Sequence, residues 1–136
     1  MKSRSESLIR LKKFQVDEKR RQVAQIEAMI ADFERMAAEL DQQIEIEHQK
    51  TGISDVAHFA YSTFAKAAMQ RRDNLLRSAA DMKATLETAQ DALAEAVEEL
   101  KKVELLDQRE NERGTAAENK AEQAAYDEIA RLRHMR

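Results

Sequence analysis

The stretch IRLKKFQVDEKRRQVAQIEAMIADFERMAAELDQQI, Ile9 to Ile44, decides the fold. Ile9, Val16, Val23, Ile30, Ala37 and Ile44 recur every seven residues without a break. Calling these a, the d positions read Lys12, Lys19, Ile26, Phe33 and Leu40. A seam this regular is the mark of a coiled coil, because an a/d stripe stays on one side only when helices wind around each other. At 1.5 Å per residue, a helix from about 5 to about 49 reaches about 60–70 Å.

The ladder stops at Lys50-Thr51-Gly52-Ile53-Ser54-Asp55. Gly52 can take the left-handed conformation that closes a helix. Ser54 can cap the next helix with Asp55 in its first turn, and Ser62-Thr63 offers a second start. A second ladder follows. Ala68, Leu75, Met82, Ala89, Ala96 and Val103 form one column, and Ala79, Leu86, Leu93 and Leu100 the other. The expected organisation is helix 1 over about 5–49, a turn over about 50–63 and helix 2 over about 64–112. Residues 113–136 hold Gly114 and sparse Tyr126, Ile129, Leu132 and Met135, and read as a helical or mobile tail.

Composition agrees. The 136 residues are 36% charged and 4% aromatic, with no Cys, Pro or Trp and two Gly. Helix formers dominate, and the bulk and turn residues of a sheet fold are missing. Disulfides, thiolate chemistry and Cys-based zinc sites are excluded. The longest unbroken apolar run is Ala28–Ala31, so no segment spans a bilayer.

Charge chooses the pairing. Residues 1–21 carry 8 basic and 3 acidic side chains, and 27–47 carry 1 and 7. Residues 64–85 carry 5 and 2, and 87–112 carry 3 and 9. Folding the chain back lays plus on minus along both halves, which sets orientation rather than stability. The expectation is an all-α protein whose two long helices form an antiparallel coiled-coil hairpin. Facing residues should add to about 112, placing Ile26 on Leu86, Ile30 on Met82 and Phe33 on Ala79. A tight turn at 52–54 would instead give about 105, one heptad away.

Chemistry has little to stand on. His48, His58 and His134 form no helix-spaced pair, and no phosphate loop or nucleophile elbow is present. The site expectation is therefore no catalytic, cofactor or metal residues, but surfaces. Leu11 and Phe14 lie off the seam among Arg10, Lys13, Arg20 and Arg21, where exposed apolar side chains ringed by charge mark contact sites. The competing reading is that the tail folds back over them. Phe59, Tyr61 and Phe64 put three of the six aromatics within six residues of the turn. They either pack it or dock a partner. The basic 1–21 segment is matched by acid at 87–112 and has no stacking platform, so nucleic acid is not an expected partner. A self-associating coiled-coil scaffold is the plain alternative to a dedicated binding protein.

The opening SLIRLKKFQVDEKRRQVAQIEAMIADFERMAAEL and the later GISDVAHFAYSTFAKAAMQRRDNLLRSA resemble the FliJ family of flagellar export proteins, in its alphaproteobacterial form. The resemblance implies a non-enzymatic, cytoplasmic component peripheral to the inner-membrane type III export apparatus. It implies a coiled coil like the gamma-subunit shaft of rotary ATPases. It also implies three partners: the export ATPase hexamer, the export-gate protein FlhA and export chaperones. YscO-type proteins hold the corresponding place in virulence secretion. The end near the termini would then meet the ATPase, with Arg10, Leu11, Lys13, Phe14, Arg20 and Arg21 as candidates. The turn half would meet the gate, with Phe59, Tyr61 and Phe64.

Overall fold

The structure is a computed structural model and describes residues 4–135. The described residues form two helices: α1, Arg4–Thr51, of 48 residues, and α2, Thr63–His134, of 72. Among the described residues there is no strand. The contacts divide into two compact units. One, the turn unit, is Asp17–Ala94, and the other, the terminal unit, joins the chain up to Val16 with the chain from Glu95 onward. Each contains a piece of both helices, and within each the two pieces run antiparallel.

In the turn unit the a positions are the core. Val23, Ile30, Ala37 and Ile44 of α1 are buried, as are Ala65, Ala68 and Ala79 of α2. The buried residues of α1 are mostly branched and those of α2 are alanines, a large-and-small division that suits close packing. The d residues Ile26, Phe33 and Leu40 are half-buried, as expected when only two helices share a seam.

The register follows the charges. In the turn unit Arg72 donates to Asp41 at 2.9 Å, a pair whose numbers add to 113. In the terminal unit Lys12 meets Glu99 at 3.1 Å, adding to 111. Both fit the expected 112 and exclude the shorter alternative. Arg72 stands on the seam side of α2, and hydrogen bonds to Asp41 and then to Asp73 hold its guanidinium pKa above the usual value. The sign is simple: a raised pKa favours the charged folded form, and that contribution is lost only as pH climbs past the arginine range. It is therefore constant near neutrality.

Of the two starts the sequence offers for α2, the structure uses the later one. Gly52 sits at φ +73° and its N–H bonds the His48 carbonyl at 2.9 Å, the left-handed closure expected. Ser54, however, does not cap α2. Ser62 does: its Oγ accepts the Ala65 N–H at 3.2 Å and donates to Glu47 of α1 at 2.9 Å. The reason is tertiary. Ser62 can bond both its own helix and the facing one, whereas Asp55 spends its carboxylate on the Ala57 N–H in a local turn.

At the other end α2 runs on through Gly114 to His134. Gly114 has no neighbour within 4 Å of a Cβ placed there, so no close approach demands a glycine. Flanking Ala, Glu, Lys and Arg supply enough helix propensity to carry one glycine, which costs about 1 kcal/mol.

Burial is unequal. Among the described residues nine are buried core: seven belong to the turn unit and two, Val16 and Ala96, to the terminal unit. Of fifteen exposed large apolar residues, nine belong to the terminal unit.

Candidate partner-binding surfaces

The expected surface on α1 is exposed. Leu11 and Phe14 are 49% and 57% accessible, and residues 113–134 continue α2 rather than folding over them. Arg10 and Lys13 are exposed beside them. Lys13 borders a cleft of about 720 Å³ in the terminal unit, with Ile9, Glu104, Asp107 and Asn111. Arg20 and Arg21 are exposed too, but belong to the turn unit, where each makes a long pair one helical turn back, to Asp17 at 3.8 Å and Glu18 at 3.9 Å. Exposed pairs at that distance contribute little, so both guanidinium groups stay available. The structure therefore groups Arg10, Leu11, Lys13 and Phe14, and sets Arg20 and Arg21 in a different unit.

The three turn aromatics do different things. Tyr61 packs inward. Its hydroxyl lies 2.6 Å from His48 Nε2 and 3.2 Å from Met69 Sδ, tying the loop to both helices. A hydroxyl has one proton; if it goes to the sulfur, the imidazole N–H donates to the oxygen. Phe59 does the opposite. It is 97% exposed, with only the His58 ring stacked on it at 4.8 Å. His58 is fixed from behind, because its Nδ1 accepts the Ala60 N–H at 3.0 Å. Phe64, on the first turn of α2, is 55% exposed. The turn therefore offers Phe59 and Phe64 outward on a hydrogen-bonded loop, and keeps Tyr61 as a strut.

His48 and His58 are thus each committed to a neighbour, and no cluster of metal-ligating side chains occurs among the described residues. No described helix is long and apolar enough to cross a membrane. Sequence reasoning did not single out Leu8, Leu105 and Leu106. The signal was present: in the heptad frame of Ile9, Leu8 falls at g, and Leu106 does so in the frame of Leu100.

A family model for the flagellar FliJ protein matches residues 1–136, the whole chain. The chain belongs to the FliJ family. Membership makes it a flagellar, type III export-associated protein, in a family of non-enzymatic export components. No curated protein and no solved structure matches it significantly.

Proposed function

We propose that this FliJ-family chain binds the hexameric flagellar export ATPase and raises its turnover, while contacting the export gate and export chaperones at the cytoplasmic face of the inner membrane. The observation that carries the reading is the surplus of exposed apolar side chains in the terminal unit, beside Arg10 and Lys13, which make no ion pair among the described residues, in a chain whose family serves export. Exposed aromatic and arginine side chains are the usual anchors of protein interfaces. Phe14, with Arg10, Leu11 and Lys13, engages the ATPase, and Arg20 and Arg21 add charge that steers the encounter. Phe59 and Phe64 engage the gate.

The test is ATPase turnover as the protein is titrated against the assembled hexamer. The expected result is a saturable rise that Phe14→Asp removes and Arg20→Glu weakens severalfold, while Phe59→Asp leaves the rise intact and reduces gate binding. No rise with a competent hexamer overturns the reading.

A further inference from the structure

The two flanks of the terminal unit are chemically different, and only one has an apolar centre. In an antiparallel pair, the g positions of both helices share one flank and the e positions the other. The cleft bordered by Lys13, Glu104 and Asn111 lies on the e flank, and those are e positions. On the g flank stand Leu8 of α1 and Leu106 of α2, 41% and 58% exposed, with Leu11 one turn along from Leu8. By the register, Leu106 is level with residue 6, so the three leucines fall within about two turns of helix.

Around them the charge left without an ion pair among the described residues is positive. Arg4 and Arg109 stand at one end of the leucines with Arg113 beyond, and Lys102 stands along the edge; none is held in an ion pair among the described residues. The acid on this strip, Glu99, is already bonded to Lys12. Ser5 occupies Glu110 at 3.0 Å. The result is a short apolar strip along the groove between two helices, bordered by four free cations.

We infer that this flank seats an acidic amphipathic helix from a partner protein, completing a local three-helix bundle. A groove between two helices is the natural seat for the ridge of a third. Leucines at its floor would meet the partner's apolar stripe, and the four cations would meet carboxylates on its edges. The inference does not depend on which protein the export partner is.

The probe is a fluorescently labelled 21-residue peptide with Leu at the a and d positions and Glu on the flanks, titrated with the full chain. A scrambled peptide of equal composition is the control. Micromolar binding to the patterned peptide alone is expected. Leu8→Asp with Leu106→Asp should weaken it at least tenfold, with helical circular dichroism retained. Arg109→Glu should weaken it severalfold, while Lys101→Glu, the same charge change on the other flank, should leave it within twofold. Equal losses from Arg109→Glu and Lys101→Glu would reduce the effect to net charge and overturn the inference. So would equal binding of the scrambled peptide. Anionic vesicles captured through Leu106 with no peptide binding would assign the strip to a membrane. A dimer in light scattering that Leu106→Asp dissolves would assign it to a second copy.

Discussion

The turn unit and the terminal unit are built from the same two helices and the same heptad, yet they are finished differently. The turn unit buries Val23, Ile30, Ala37 and Ile44 on α1 and three alanines on α2, and closes with a capped, hydrogen-bonded loop. The terminal unit puts Lys12 at a d position and must satisfy it with Glu99 rather than pack it. From Gln108 to His134 every residue of α2 is exposed, with Glu110 tied to Ser5 of α1 by one hydrogen bond. A helix segment that buries so little is marginal in water. The lesson is that one half of the seam is spent on stability and the other is left for recognition, since an interface needs apolar surface that folding has not consumed.

Three measurements can break or sharpen that contrast. The largest effect is expected for Ile30→Ala, which removes a branched side chain from the tight seam and should lower unfolding free energy by about 2–4 kcal/mol in urea titration. A loss under about 1 kcal/mol would mean that the turn unit is no better packed than its counterpart. Next, amide hydrogen exchange should be at least about tenfold slower at 23–44 than at 4–16 or 113–135, because opening a poorly buried segment costs less. Equal protection would erase the distinction. The smallest effects are at the glycines and have opposite signs. Gly114→Ala should stabilise by about 0.5–1 kcal/mol, since nothing near it obstructs a methyl group and its conformation is helical. Gly52→Ala, at φ +73°, should destabilise by about 1 kcal/mol. Melting temperatures of the two variants should therefore move apart.

Much of the fold was legible because the heptad is a long-range signal carried by many residues. Ile9 to Ile44 fixed the helix and its buried face, and the alternating charge blocks selected the register that Lys12–Glu99 and Asp41–Arg72 show. Gly52 was legible because few residues other than glycine adopt its backbone readily. The start of α2 was not decided locally. Ser54 and Ser62 are equally good caps in isolation, and only the bond from Ser62 to Glu47 across the turn separates them. The surfaces followed the same division. Leu11 and Phe14 could be read as exposed from their heptad positions, but Tyr61 could not be told from Phe59. The difference is a hydroxyl that finds His48 and Met69, and no short-range pattern encodes that meeting.

The register has a consequence for how such a chain can change length. Because facing residues add to a near-constant number, seven residues lost from α1 inside the turn unit displace every α1 side chain on one side of the deletion by a heptad relative to α2. Asp41 would then pass Arg72, and Glu47 would leave Ser62. Removing a matching seven from α2 restores both. Insertions and deletions in this protein should therefore be tolerated as paired heptads, one on each strand of the hairpin at the same level.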